Sequence, residues 1–261
     1  MISEIKGKIS STGSNLSDRL EDKLTGDFFG ALRYLPFEQG LKGILEQAEI
    51  AESEERTAWM KFLNEESGFK HSYNFWPQHS KGEIDLLLEF EDTLVGIEVK
   101  YKSGISSEDE GEIVSYDKSL HQLSKYSHMI EELANKKQAF LIFLAPFSIQ
   151  NSVQQQVGID FNISSSVGLG FVNWEDIHTK LVRMSRVALS GTQEYILSDV
   201  QELLEVKGLK RFSGFANLLE EDPILYTPYL FDDLSNSVKT SWTWPDLKVE
   251  KENIAYVYYK K

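Results

Sequence analysis

Apolar positions along the chain fall into two periods. Leu20, Leu24, Phe28, Ala31 and Leu35 recur at helical spacing until Pro36 stops the run, which predicts a first amphipathic helix. A second predicted helix runs from about Ile44 to Glu65, with Leu45, Ala48, Trp59, Phe62 and Leu63 facing inward and Gly68 just past its end. From Lys70 the pattern changes to short extended segments: Tyr73 to Trp76, Ile84 to Phe90 and Thr93 to Tyr101, with Glu91-Asp92 as the tight turn between the last two. A polar, acidic loop from Ser103 to Glu112 leads into a helix from about Tyr116 to Asn135, and Ala139 to Ala145, AFLIFLA, is apolar enough for a strand covered on both faces. A strand at Val167 to Val172 and helices at Trp174 to Leu189 and Gln193 to Val206 follow, the last ended by Gly208. The aromatic-rich tail from Lys210 closes on a candidate strand at Ile254 to Tyr259.

This order predicts an α/β sandwich around a mixed sheet flanked by helices. A chain of 261 residues can bury a full core and shows no repeat or evident linker. The expected division is a core over 1–150 and an α+β extension over 151–261 packed on it. The absence of cysteine excludes disulfides, thiolate metal sites and cysteine nucleophiles. No apolar run approaches the ~18 residues that cross a bilayer and Met1 to Ser14 lacks the apolar block of a signal peptide, so a cytoplasmic protein is expected. Neither a GxxxxGK[ST] nor a GxGxxG phosphate loop occurs, which leaves nucleotide hydrolysis and dinucleotide chemistry unsupported. The formal charge of −14 works against tight, unassisted binding to nucleic acid.

The stretch that carries chemistry is Gly82 to Lys100, GEIDLLLEFEDTLVGIEVK. Asp85 begins one predicted strand, and Glu98 and Lys100 share a face of the next. A short turn between antiparallel strands brings the start of the first beside the end of the second, so the three charges converge at one edge of an apolar sheet. Burying them together costs several kcal/mol unless they pair or bind metal, and hard carboxylate oxygens suit Mg²⁺ or Mn²⁺. The bland alternative is an exposed ladder of cross-strand ion pairs, against which stand the apolar neighbours Ile84, Leu86, Leu88, Ile97 and Val99.

Asp85, twelve intervening residues, then Glu98-Val99-Lys100 resembles the signature of the PD-(D/E)XK nuclease superfamily, with Ile84 in the place of the signature's proline. Members include restriction endonucleases, resolvases, repair nucleases and phage-defence effectors. The resemblance implies a restriction-endonuclease-like αβββαβ core and Mg²⁺ (or Mn²⁺) dependence, and the expected activity is hydrolysis of phosphodiester bonds in DNA, with RNA as the lesser alternative. Asp85, Glu98 and the carbonyl of Val99 would be metal ligands, and Lys100 the group that assists the water. Upstream, Glu21-Asp22-Lys23-Leu24-Thr25 is similar to the acid-x-x-Leu-Thr that opens the first helix of many such nucleases. Downstream, Gln122-Leu-Ser-Lys-Tyr126 resembles the Gln-x-x-x-Tyr of the helix after the catalytic lysine. On the expected stripe of the first helix, Glu21 and Asp27 flank the two edges almost symmetrically and Asp22 points away; helix geometry does not choose between Glu21 and Asp27, whereas the resemblance chooses Glu21. Loss of the Lys100 ammonium is expected to stop cleavage and leave folding intact.

Other features have plainer readings. Gln122 and Tyr126 also fit an ordinary polar helix edge. Glu108, Asp109, Glu110 and Glu112 fit acids ahead of a helix. His71, His79, His121, His128 and His178 show no ligand spacing. Trp242, Trp244, Tyr256, Tyr258 and Tyr259 fit core or subunit contacts as well as base stacking. The expected partners are nucleic acid and either a second copy or a partner subunit, with no membrane. The rival reading is a nuclease-like interaction subunit that needs a partner to engage nucleic acid, and behind it a structural protein with coincidental charges.

Overall fold

The structure is a computed structural model and describes residues 16–50, 52–101, 116–160, 163–186 and 189–212. The chain divides into a compact unit, Met1–Ser213, and a second unit, Gly214–Lys261. The acidic loop Ser103 to Glu112, the candidate strand Ile254 to Tyr259 and the C-terminal Trp and Tyr residues lie outside the described residues.

The first helix, α1 (Leu16–Leu32), buries Leu24, Thr25, Phe28, Phe29 and Leu32. At 100° per residue the centre of that stripe is rotated by about 70° from the one expected, because Phe29 and Thr25 are inside and Ala31 only half-buried. The rotation puts Glu21 at the centre of the buried face and Asp27 on the far flank. Asp22 does not point away as expected: it is only 8% exposed.

The helix expected over Ile44 to Glu65 is three elements: α2 (Leu41–Leu45), β1 (Glu49–Ile50) and α3 (Ser53–Glu65). Tertiary packing overrides helical spacing here. Ile50 is taken into an edge strand opposite Gly170, where an added Cβ would lie 2.5 Å from Ile50 Cδ1. Glu54 and Glu55 then favour a fresh helix start at the positive end of α3.

The strands β2 (Ser72–Phe75), β5 (Leu86–Glu89) and β6 (Thr93–Val99) form an antiparallel meander, and a small hairpin of β3 (Gln78–His79) and β4 (Gly82–Glu83) interrupts it just before Asp85. Helix α4 (Tyr116–Ala134) crosses to β7 (Gln138–Ala145), parallel to β6. Helix α5 (Phe147–Asp160) crosses to β8 (Val167–Asn173), parallel to β7, and α6 (Trp174–Arg183) and α7 (Gly191–Val206) follow. The six-stranded mixed sheet has the order β1-β8-β7-β6-β5-β2.

Sequence patterning missed α5, whose described apolar stripe is Ile149, Val153 and half-buried Val157 among glutamines and serines, with Gln150 also buried. Helix α6 stops at Arg183 rather than Leu189. Met184 turns extended, and Arg186 donates to the Leu181 carbonyl at 3.3 Å, satisfying one of the last carbonyls of the helix.

Alternation along the strands gives two cores. Leu86, Leu88, Val95, Ile97, Ile142 and Leu144 face α1, α3, α6 and α7, whereas Leu87, Leu94, Leu141 and Phe143 face α4 and α5. The protein is thus an α/β sandwich whose mixed sheet is covered by helices. Strand β8 completes the sheet, and α6 and α7 cover one of its faces, within the compact unit Met1–Ser213. Among the described residues no helix is long and apolar enough to cross a membrane.

Candidate active site

The β5–β6 ladder ends at the pair Leu86–Ile97. One rung further, the Val99 N–H would look for a partner on Ile84, but the chain there has already turned aside into the β3–β4 hairpin. It donates instead to Asp85 Oδ2 at 2.8 Å, so the carboxylate stands in for a missing strand acceptor. In an extended strand a residue's N–H and C=O point to the same side, which directs the Val99 carbonyl toward Asp85 as well.

On the other side of β6 the backbone is bonded to β7, and Lys100 N–H donates to the Leu144 carbonyl at 2.7 Å. The Lys100 carbonyl would next meet the N–H of residue 146, which is proline and has none. Trp174 fills the gap, donating its indole N–H to the Lys100 carbonyl at 3.0 Å. The indole is fully buried and packs edge-on against Phe28 of α1 at 5.0 Å. That contact fixes α1 to the end of β6 and delivers Glu21 to the site.

Lys100 Nζ lies 2.6 Å from Glu98 Oε1 and 3.3 Å from Glu21 Oε1. The second Glu21 oxygen accepts from the Tyr101 N–H at 2.9 Å. Glu98 is 2% exposed and pairs with the Asp85 carboxyl, a hydrogen bond that requires one proton shared between the two acids. Three carboxylates therefore face one ammonium in a largely buried space. Burial pushes the Glu98 carboxyl above its usual range and outweighs the attraction of Lys100; the neighbouring Glu21 charge acts in the same upward direction. Glu21 is raised likewise, by burial first, against Lys100. For Lys100, burial pulls downward, but Glu98, Glu21 and Asp85 together hold its ammonium well above the ordinary value. Mutual attraction alone would lower Glu98 while raising Lys100; both rise because burial outweighs that attraction at Glu98, whereas the three acids together outweigh burial at Lys100.

Tyr126 lies on α4 beside this cluster and hydrogen-bonds to Gln122 one turn earlier. Its hydroxyl donates to the Glu83 carbonyl at 2.7 Å, and its ring edge closes on Gly82. Gly82 has φ of 134°, and a Cβ there would sit 3.2 Å from the ring. Tyr126 thus braces the chain entering Asp85. Burial and the nearby Glu98 and Asp85 charges keep its hydroxyl protonated.

The structure brings together Glu21, Asp85, Glu98 and Lys100, places the Val99 peptide between them, and sets Gln122 and Tyr126 at the rim. A scan against known family models finds no match, and a search of curated proteins finds none either. Sequence reasoning missed Trp174 and the Tyr101 N–H. The one available signal was the tryptophan opening a helix directly after a strand, since a buried indole N–H needs an acceptor.

The donor set fits a hard divalent cation. Two net negative charges remain when all three acids are ionised and Lys100 is protonated, and the ligands are oxygens. Among the described residues no three acidic or histidine side chains close on a single point.

Proposed function

We propose that the protein is a divalent-metal-dependent nuclease of the PD-(D/E)XK type that hydrolyses phosphodiester bonds in DNA. The observation that carries this reading is the excess of buried acid around one lysine at the end of β6, with the Val99 peptide turned toward Asp85. Support also comes from the succession of α1, the antiparallel strands β2, β5 and β6, α4 and the parallel strand β7, which follows the αβββαβ arrangement expected of a restriction-endonuclease-like core with α2, β1 and α3 inserted after the first helix and the β3–β4 hairpin inserted between the strands.

Asp85, Glu98 and the Val99 carbonyl would hold Mg²⁺ or Mn²⁺, which when bound supplies Lewis-acid polarisation of the phosphate and a more acidic water. Lys100 keeps a proton on Nζ at neutral pH and offers it to the negative charge that develops on oxygen during hydrolysis. Glu21 orients Lys100 from the far side through Oε1, itself held by the Tyr101 N–H. Gln122 and Tyr126 keep the Asp85 segment in place.

The test is incubation of pure protein with circular and linear DNA in Mg²⁺ or Mn²⁺, beside a Glu98→Gln variant. Metal-dependent cleavage lost in the variant is expected. Cleavage persisting in EDTA, or equal in the variant, overturns the reading. Nicked or linearised circles identify an endonuclease. The charge of −14 favours a second reading, a nuclease-like subunit that requires a partner to engage nucleic acid; it predicts no cleavage by the protein alone together with intact metal binding.

A further inference from the structure

Because β6, β7 and β8 are parallel, their carboxyl ends share one edge of the sheet, where ligands of open α/β sheets commonly lie. Tyr101, Phe147 and Glu175 follow these three ends. Helix α7 finishes over the same edge with Gly208 at φ of 71°, Gly208 N–H donating to Glu205 at 3.0 Å and Leu209 N–H to Leu204 at 2.9 Å. This turn buries Leu209 against the core and leaves Lys210, Arg211 and Phe212 at the surface.

Two hollows of about 370 and 730 Å³ meet there, sharing Lys210, Arg211 and Phe212. Phe147 and Glu175 line the first, and Arg183 and Val182 line the second. Toward the candidate active site, Lys207 Nζ stands 5.1 Å from the centre of the Tyr101 ring, and Tyr101 is the residue whose N–H holds Glu21. The acids on this face are Glu175, which accepts from the Phe147 N–H, Asp176, which pairs with Arg211, and Glu205, which pairs with His178. Against them stand Arg183, Lys207, Lys210 and Arg211. With Glu21 at the Tyr101 end the face holds as many cations as acids, whereas the chain as a whole has 41 acidic and 27 basic residues. Two exposed rings lie among these cations: Phe147 is 52% and Phe212 79% exposed, and the Arg211 guanidinium lies 6.0 Å from the Phe147 ring.

Cations interleaved with exposed rings are what an unpaired nucleic-acid strand binds, phosphates to the cations and base faces to the rings; in a duplex those base faces are already covered. We propose that this trough, lined by Lys210, Arg211 and Phe147, together with the neighbouring Lys207–Tyr101 pair on the same sheet edge, carries the single-stranded stretch of nucleic acid adjoining the candidate active site. The proposal rests on the nuclease reading for its direction, and it adds a strand preference and a contact surface. The surface ion pair of Arg211 with Asp176 is weak enough for a phosphate to replace.

The experiment measures fluorescence anisotropy of the full chain in EDTA with a labelled oligothymidylate of about 20 nucleotides and a duplex of equal length. It compares wild type with Lys207→Glu/Lys210→Glu, the milder Lys207→Gln/Lys210→Gln, and Phe147→Ala. Melting curves unchanged from wild type confirm that the variants fold. The charge reversal should weaken oligothymidylate binding about tenfold or more and flatten its salt slope by about 1.4, with a smaller loss for the glutamine pair. Phe147→Ala should weaken the single strand about fivefold or more and leave the duplex unchanged. Wild-type affinity in these variants, absence of single-strand binding by wild type at low salt, or equal losses for both probes overturns the proposal. So does displacement of oligothymidylate by polyglutamate without any effect of the Phe147 substitution, which would mark a protein-docking face. Parallel cleavage assays in Mn²⁺ separate the two readings. Variant-sensitive strand binding without cleavage retires the nuclease reading alone, whereas normal cleavage and binding by all variants retires the trough alone.

Discussion

Glu21 and Asp27 lie on the same helix, and the observed rotation of α1 separates their roles. Glu21 meets Lys100 and the Tyr101 N–H, so Glu21→Gln is expected to reduce cleavage about 10–100-fold, whereas Asp27→Asn has a much smaller effect. Single-turnover cleavage measures both, and the reverse ranking would move the assignment. Glu21 also predicts a pH dependence. Its folded pKa is raised above the unfolded value of about 4.5, so its contribution to stability is present at low pH and is lost as pH rises through the folded value. In EDTA, urea midpoints of wild type relative to Glu21→Gln should therefore rise as pH falls from about 8 to about 5; a flat difference contradicts the buried placement. Lys100 is the residue for which the structure alters the expectation most. Removing an ammonium between Glu98 and Glu21 leaves buried carboxylates without their counter-charge, at a cost of up to about 3–5 kcal/mol, reduced by the partial exposure of Lys100 and by proton uptake. Lys100→Ala should thus lose stability as well as activity, and Lys100→Ala/Glu98→Gln should recover much of the stability and none of the activity. Denaturant titration of the pair decides it.

At the scale of elements, the β5–β6 hairpin was legible because Leu86, Leu88, Ile97 and Val99 alternate with a two-residue turn between them, and the turn closes with Phe90 N–H donating to Thr93. Its register then put Asp85 beside Glu98. The break at Ile50 was not legible, since it depends on a glycine in β8 that no local pattern couples to it. Nor was the true face of α1, because Leu20 and Ala31 count equally with Phe29 in a periodicity but cannot compete with it for burial. The brace from Trp174 was beyond sequence reading for a different reason: it answers an absent N–H on a neighbouring strand. Gly96 shows how closely α4 rides on β6. A Cβ there would lie 1.9 Å from Ile130 Cδ1 and 2.8 Å from Ile84 Cδ1. Gly96→Ala should cost about 1–3 kcal/mol by urea titration, with Ile130→Val restoring part of the loss. An additive pair would mean that α4 does not press on β6 at this point.

For the whole molecule, charge and metal binding act together. The charge of −14 attracts divalent cations and repels phosphates, so DNA binding outside the trough should be weak and confined to low salt. Millimolar Mn²⁺ should raise the melting temperature, corresponding to about 2.7 kcal/mol at a hundredfold excess over the dissociation constant. The control is Asp85→Asn, which removes a charge and keeps an oxygen for the Val99 N–H; an equal rise in that variant would remove the proposed metal site. Trp174 makes the same event visible without a label. Its indole N–H is bonded to the carbonyl of the lysine at the centre of the charge cluster and is shielded from solvent. Any change of field at Lys100 therefore acts on a chromophore one hydrogen bond away. Mn²⁺ or Mg²⁺ titration should shift tryptophan emission in wild type, and Trp174→Phe should abolish that part of the signal, so the chain carries its own optical gauge of site occupancy.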